Sequence, residues 1–235
     1  MKTVIHRAES RGVADHGWLQ SRHTFSFADY MNPERMQFGA LRVLNDDIVA
    51  PGMGFGRHGH ADMEIVSIPI SGSLAHKDST GREETILTGD VQIMSAGTGI
   101  MHSEFNPDEK NPVNFLQIWI LPEKRGIAPR YGQKSFDLEK FRNNFVRVVS
   151  AQENGGALWI NQQAEFQLGL FDAGVQARIT RVHEKSGLYV FVIEGGVEVA
   201  GEKLTRRDAI GIADEKAVDI VFTAPTRLLT IEVPL

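Results

Sequence analysis

The chain has 235 residues, of which 42% are hydrophobic and 23% charged, and its formal net charge is −5. These values are typical of a globular protein with one large or two small domains. The absence of cysteine excludes disulfides and thiolate chemistry. The sequence contains no run of basic residues that would indicate a nucleic-acid-binding surface. Because no apolar stretch is long enough to span a bilayer and the N-terminus lacks a signal-peptide core, we expect no membrane partner and a cytoplasmic location.

Short aromatic and β-branched runs begin the chain. Residues 23–27 alternate polar and apolar side chains and predict a strand, which ends in a turn at 31–33. A second strand is predicted for 38–45. His16 and His23 lie near the first strand, but neither has a second ligand two residues away. We therefore interpret both as hydrogen-bonded packing residues.

Two glycine-rich stretches carry four candidate metal ligands. Residues 52–64 contain His58 and His60, and residues 97–104 contain His102 and Glu104. Each pair is spaced i, i+2, so its two side chains project from the same face of a strand. If the two strands face each other inside a barrel, all four ligand groups converge.

Three neutral imidazoles and one carboxylate suit one divalent transition metal, such as iron, nickel, copper, manganese, cobalt or zinc. On a six-coordinate ion this set leaves two positions for water, oxygen or substrate. A closed tetrahedral zinc site with a structural role uses the same residue types, and so does a polar barrel lining without metal. The residue types alone leave these alternatives open.

Further short strands follow at regular intervals. Turn signals recur every eight to twelve residues between them, a spacing that predicts a sandwich or barrel. Pro69 cannot donate to a sheet ladder, so we expect it at a sheet edge, a strand end or a bulge. The remaining strands of the first half are predicted at 64–72, 73–78, 83–87, 91–95 and 114–121.

Residues 122–134 contain two prolines and two glycines and are the best linker candidate. The β pattern then resumes with the rhythm of the first half, which indicates a duplicated barrel. One or two helical turns are predicted only for 137–143. The second half has a single histidine, His183, and no His-x-His, so we predict that it lacks a metal site. The predicted domains are 1–134, which binds metal, and 135–235, which does not.

The ligand stretches resemble the two motifs of the cupin superfamily. Gly52, His58, His60 and Glu64 match the first motif, and Gly89, Gly97, His102 and Asn106 match the second. Segments 23–30, 41–47, 94–104, 117–120 and 126–131 look like the pirin family. The sequence is therefore identified as similar to pirins, which are bicupins. The resemblance implies an all-β fold of two cupin (jelly-roll) barrels in tandem with few short helices.

The resemblance also implies one metal, usually Fe(II), in the N-terminal barrel, held by His58, His60, His102 and Glu104. It implies an activity like that of quercetin 2,3-dioxygenase, with a small aromatic flavonol and O2 as substrates. Glu104 is the candidate catalytic residue, because a carboxylate within reach of the substrate hydroxyl can take its proton. Pirins commonly have proline where Gly59 stands, and glycine there frees the backbone of the ligand pair.

Further residues are candidates for supporting roles. Glu64 either orients a ligand histidine or is a plain strand residue. His76 and Asp78 also fit the pirin-like pattern, and we interpret them as hydrogen-bonded structure. The candidates for an apolar pocket wall, for which core packing is the more frequent alternative, are Phe25, Phe27, Phe38, Phe55 and Met101.

Two other functions use the same ligands. One is a metal-dependent binding or regulatory protein that docks a protein partner and switches with the redox state of the metal. The other is a different cupin activity, such as isomerisation. Spacing of the ligands does not separate them from dioxygenation.

Overall fold

The computed structural model describes residues 2–153 and 155–235, and almost all of their regular structure is β. Within these ranges the one helix is a short 3₁₀ helix at Ala8–Ser10. Residues 138–143 form turns where helical turns were predicted. In the described part of the chain no helix is long and apolar enough to cross a membrane. The prediction of two cupin barrels in tandem with few short helices is confirmed.

The first half forms a barrel from a seven-stranded and a four-stranded sheet. Numbered in chain order, the seven strands are β2 (Gly12–Asp15), β3 (Leu19–His23), β4 (Leu41–Val49), β6 (Glu64–Ser71), β9 (Asp90–Ser95), β11 (Val113–Ile120) and β12 (Arg130–Ser135). The four strands are β5 (Gly54–His60), β7 (Ser73–Asp78), β8 (Glu83–Leu87) and β10 (Ile100–Phe105). The sheet orders are β12-β9-β6-β11-β4-β3-β2 and β5-β10-β7-β8.

The second half repeats this arrangement. Its seven-stranded sheet contains β1 (Lys2–His6), β13 (Phe145–Ser150), β14 (Leu158–Trp159), β15 (Glu165–Phe171), β17 (Ser186–Glu194), β20 (Ala209–Ala213) and β22 (Thr226–Pro234). The four-stranded sheet contains β16 (Gln176–Thr180), β18 (Gly196–Val199), β19 (Glu202–Thr205) and β21 (Ala217–Phe222). The sheet orders are β1-β20-β17-β22-β15-β13-β14 and β16-β21-β18-β19.

The first strand of the chain belongs to the second barrel. β1 pairs antiparallel with β20, from Lys2 opposite Ala213 to His6 opposite Ala209. The predicted domain boundary after residue 134 falls one residue before the end of β12. The division into domains 1–134 and 135–235 stays a prediction. Residues 2–6, which belong to the first predicted domain, are hydrogen bonded to a strand of the second.

The main core lies between the two seven-stranded sheets. Along β11, Leu116 and Ile118 face this core, and along β17 Phe191 does the same from the second half. The alternate residues of each strand face the interior of their own barrel. Pro69 lies where the β6–β11 register shifts, at a bulge or irregularity of the ladder to which it cannot donate, as predicted.

The two barrel interiors differ in content. The second is filled by one apolar cluster that includes Phe171, Val190 and Phe222. The first holds two smaller clusters, and along β11 the inward-facing Gln117 lies between Phe115 of one cluster and Trp119, which packs on the other. A polar layer therefore interrupts the apolar interior of the first barrel, and the candidate ligands lie in that layer.

Candidate metal centre

Two neighbouring strands of the four-stranded sheet bring three histidines together. β5 and β10 pair antiparallel with His102 directly opposite His58. The ring centroids of His58 and His102 are 4.4 Å apart, and each lies 4.9 Å from that of His60. One ring nitrogen from each lies within 4.8 Å of the other two. Imidazoles so close together suit a shared divalent cation.

The electrostatics of these imidazoles fit metal ligation. Burial, followed by His58 and His60, lowers the pKa of His102 to about 3, and burial, followed by His58, lowers that of His60 to about 4. Both rings are therefore neutral at pH 7, as metal ligation requires. His102 is 2% exposed, and neither of its ring nitrogens has a hydrogen-bond partner among the described residues. A metal ion would supply the missing partner.

Glu104 lies on the same strand as His102, beyond a register shift. The shift falls between His102 and Glu104, so Glu104 is opposite Phe55 on β5. A carboxylate oxygen of Glu104 lies within 4.8 Å of a nitrogen of His102, in a group that includes His76. His102 thus belongs both to the histidine trio and to the group containing Glu104.

Polar partners fix the Glu104 carboxyl group. Gln117 Nε2 donates to its Oε2 at 2.9 Å, and Ser67 Oγ lies 3.4 Å from its Oε1. Ser67 Oγ also lies 2.9 Å from Gln117 Oε1. Burial raises the pKa of Glu104 to about 7, with a smaller contribution from the nearby Asp47. Glu104 is therefore harder to deprotonate in the metal-free protein than an exposed carboxyl group is.

His76 lies behind the centre and is held by Asp78. Its Nε2 is 3.0 Å from Asp78 Oδ2, and both side chains are buried. Its ring centroid lies 5.4 Å from that of His102 and 4.9 Å from that of Tyr131. This hydrogen bond agrees with the interpretation of His76 and Asp78 as hydrogen-bonded structure.

A cavity of about 420 Å³ opens beside the ligands. His58, His60 and Glu104 line it, most of its surface is apolar, and four large aromatic side chains belong to its walls. Phe55 packs edge-on against Trp18 at 5.2 Å, and Phe27 packs edge-on against Trp119 at 5.3 Å. Trp119 also contacts the His60 ring at 4.9 Å. The walls give a flat aromatic ligand apolar contact beside the imidazoles.

Several buried polar atoms of the cavity walls have no partner among the described residues. They are His23 Nδ1, Asn45 Oδ1 and Trp119 Nε1, whereas Ser21 and Asp47, which lie opposite each other on paired strands, interact with each other. Burial raises the pKa of Asp47 to about 7. Buried polar groups normally have hydrogen-bond partners, so this concentration in one cavity indicates a polar ligand. Sequence analysis did not predict most of these residues as part of the cavity. The alternation of side chains along β3 and β4 could have indicated that they share one face of the sheet.

The structure separates the predicted pocket residues into three groups. Phe27 and Phe55 line the cavity. Phe25 and Phe38 lie in the core between the barrels, 6.0 Å and 5.5 Å from the Tyr189 ring, and not in the cavity wall. Met101 lies over Gly59 in a separate shallow groove, where a Cβ on Gly59 would be 2.8 Å from the Met101 sulfur.

Glu64 connects the two halves of the chain. Its Oε2 accepts hydrogen bonds from Ser95 Oγ at 2.8 Å and from the backbone N–H of Asn161 at 3.2 Å. Burial raises the pKa of Glu64 to about 7. None of its hydrogen bonds among the described residues reaches a candidate ligand.

His16 and His23 both line the cavity, and His23 packs edge-on against Phe27 at 5.2 Å.

Comparison with known proteins gives consistent results over the whole chain. The Pirin family model matches residues 5–120, and the model of the quercetinase C-terminal cupin domain matches 147–233. A protein of Escherichia coli K12 named quercetin 2,3-dioxygenase is 40% identical over 98% of both chains. A pirin-like protein of Caulobacter vibrioides is 40% identical over 94% of this chain and 95% of its own.

A solved structure also matches the complete chain. The crystal structure of the bacterial pirin YhhW from Escherichia coli in complex with nickel(II) superposes with a TM-score of 0.94. It is 38% identical, and the match covers 99% of both chains. The nickel complex and the histidine group of this chain together support a divalent-metal site.

Proposed function

Because the chain belongs to the pirin family of cupin proteins, we propose that it is a metal-dependent dioxygenase that opens a ring of a hydroxylated aromatic compound. The substrate class that we propose is a flavonol such as quercetin. The relatives carry the name of this activity, and the cavity of this chain fits a molecule of that chemistry.

The observation that carries the proposal is the convergence of three imidazoles, two of which, those of His58 and His60, line a largely apolar cavity. We assign His58, His60, His102 and Glu104 as the ligands. When bound, a divalent metal supplies a Lewis acid that favours the deprotonated form of a substrate hydroxyl, and a centre for the chemistry of oxygen. Fe(II) is the ion that we propose for this site. The cytoplasmic location of the protein stays a prediction.

The aromatic walls bind and orient the substrate in this proposal. Trp18 and Phe55 form one wall, and Phe27 and Trp119 form another. Ring contacts of this kind hold a flat molecule in one plane while they exclude water. The ring to be opened then lies beside His58 and His60.

Polar groups of the cavity fix the orientation of the substrate within that plane. Asn45 Oδ1 accepts hydrogen bonds from phenolic hydroxyls, and the Trp119 indole N–H donates to a phenolic or carbonyl oxygen. A polyphenol satisfies both kinds of group, whereas an unsubstituted aromatic ring leaves them unpaired. Unpaired buried groups give strong discrimination between such ligands.

Glu104 receives the hydroxyl proton in this mechanism. Its carboxyl group lies beside His102 and lines the cavity. A carboxylate within hydrogen-bond reach of the substrate hydroxyl can accept its proton and later return it. The hydrogen bond from Gln117 Nε2 holds its Oε2 in place.

A matched pair of substrates tests the proposal. Quercetin and the corresponding flavone without the 3-hydroxyl differ only in the group that we expect to be deprotonated. The metal-loaded protein should consume quercetin and leave the flavone unchanged. His102→Ala and Glu104→Ala should abolish turnover, whereas His183→Gln, in the second barrel, should retain it. Full activity in His102→Ala would sink the ligand assignment, and equal turnover of both compounds would sink the role of the hydroxyl.

A further inference from the structure

A second cavity, of about 240 Å³, lies where the two halves of the chain meet. Strands β3 and β4 separate this second cavity from the cavity beside the metal ligands, which we call the aromatic cavity. Successive side chains of each strand face the one cavity and the other in turn. Ser21 and Asp47 face the aromatic cavity, and Arg22 and Asp46 face the second. We call the second cavity the arginine cleft; its charged and amide residues include Arg11, Arg22, Arg206, Arg207, Asp46 and Asn114.

Positive charge dominates the lining of this cleft, although the whole protein has a net charge of −5. Four arginines line the cleft against one carboxylate, that of Asp46. Arg207 takes this carboxylate, with its Nε 2.7 Å from Asp46 Oδ2, and Arg206 pairs with Glu194. The carboxylate in the cleft is therefore already committed, and neither Arg11 nor Arg22 forms an ion pair with the described residues.

Arg11 is the buried member of the cleft. It is 4% exposed, and its guanidinium lies 4.7 Å from the centroid of the Phe191 ring. Its Nε and Nη2 have no acceptor in the described part of the chain. The nearby carboxylate of Asp208 is engaged by Arg7 and by the backbone N–H of Ala8. Burying charged donors without acceptors is unfavourable unless a ligand supplies the acceptor.

Arg22 is the exposed member of the cleft. It extends from β3, and its guanidinium group makes no hydrogen bond or ion pair with residues 2–153 or 155–235. The donor fork of Arg22 is free, whereas Arg207 is fixed by Asp46, by Asn114 Oδ1 at 2.9 Å and by Ile193 O at 2.6 Å. One buried and one exposed arginine without acceptors thus line the same cavity.

We propose that the arginine cleft binds a small phosphate-class oxyanion through Arg11 and Arg22. Guanidinium groups match the oxygens of a phosphate with paired, charge-assisted hydrogen bonds. The volume of about 240 Å³ equals roughly eight water molecules at about 30 Å³ each, which suits a phosphate group on a small substituent. This site is separate from the metal centre and does not depend on the proposed dioxygenase activity.

Isothermal titration calorimetry of the metal-loaded protein with inorganic phosphate tests the proposal. Sodium chloride keeps the ionic strength constant, because screening alters all charged contacts. We expect saturable binding to one site. Glycerol phosphate, titrated in a second arm, distinguishes a phosphate ester from free phosphate as the preferred ligand. No saturable heat with either anion at millimolar concentration would overturn the proposal.

Matched variants locate the binding. Arg22→Gln removes an exposed side chain without partners, so it leaves the fold unchanged and should weaken binding about tenfold. Arg11→Gln should weaken it at least as much, and Arg125→Gln, in an exposed loop outside the cleft, should not change it. Unchanged affinity in Arg22→Gln and Arg11→Gln would contradict the assignment.

Phosphate bound to the metal is the competing explanation, and His102→Ala separates the two. Binding in the arginine cleft should persist in His102→Ala. Heat that disappears in that variant while it persists in Arg22→Gln would place the anion on the metal and overturn the proposal.

Discussion

The buried carboxyl group of Glu104 gives metal binding a specific pH dependence. Burial and the neighbouring Asp47 raise its pKa to about 7 in the metal-free protein, and ligation requires the deprotonated form. The proton therefore competes with the metal increasingly as the pH falls through 7. At pH 6 about one tenth of the Glu104 population is deprotonated, so the contribution of this group makes affinity about tenfold weaker than at pH 8.

Competition with a chelator, measured with Ni(II) between pH 6 and 8, provides the assay. Glu104→Gln retains the three histidines, so the difference between its pH slope and that of the wild type isolates the carboxyl group. The slope of log affinity against pH gives the number of protons released per metal bound. We expect this number to be smaller in Glu104→Gln than in the wild type, by up to one proton. Asp47→Asn removes a neighbouring carboxylate and should move the transition to lower pH. Identical slopes in the wild type and Glu104→Gln would refute the reasoning.

Three further substitutions have expected outcomes. Gln117→Leu removes the hydrogen bond to Glu104 Oε2 and should weaken metal affinity 10- to 100-fold, measured by the same competition assay. Asn45→Leu removes a cavity acceptor and should raise KM for quercetin about tenfold with little change in kcat; an unchanged KM would exclude its contact with substrate. Gly39 has a φ of 52°, and a Cβ added there would lie 2.0 Å from the Pro234 carbonyl oxygen. Gly39→Ala should therefore lower the free energy of unfolding by about 2 kcal/mol or more and the Tm by at least about 4 °C. Gly17→Ala, which has a positive φ but open space around the Cβ, is the control.

The ligand spacing carried much of the information about the centre. Alternation predicted that His58 and His60 share one face of a strand, and the structure brings them against His102 on the paired strand. The register shift before Glu104 was not predictable, because a bulge depends on the partner strand as well as on local sequence. The assignment of all four residues as ligands stays a prediction.

The cavity walls were less accessible to sequence analysis. Asp47 and Ser21 are distant from the ligands in sequence, and only the sheet order β4-β3-β2 brings them to the same cavity. Phe25 and Phe38 have the same character as Phe27, but they lie in the core between the barrels. Whether an aromatic side chain lines a cavity or fills a core depends on the packing of the two halves, which local pattern does not encode.

Oxygen uptake tests the central claim most directly. Protein loaded anaerobically with Fe(II) is mixed with quercetin and oxygenated buffer, and oxygen consumption is followed together with the loss of quercetin absorbance. His102→Ala is measured alongside, and the metal content of both proteins is determined. We predict that the wild type consumes oxygen and quercetin in equal amounts while the variant consumes neither. No uptake by wild-type protein with confirmed metal content would contradict the proposed dioxygenase activity.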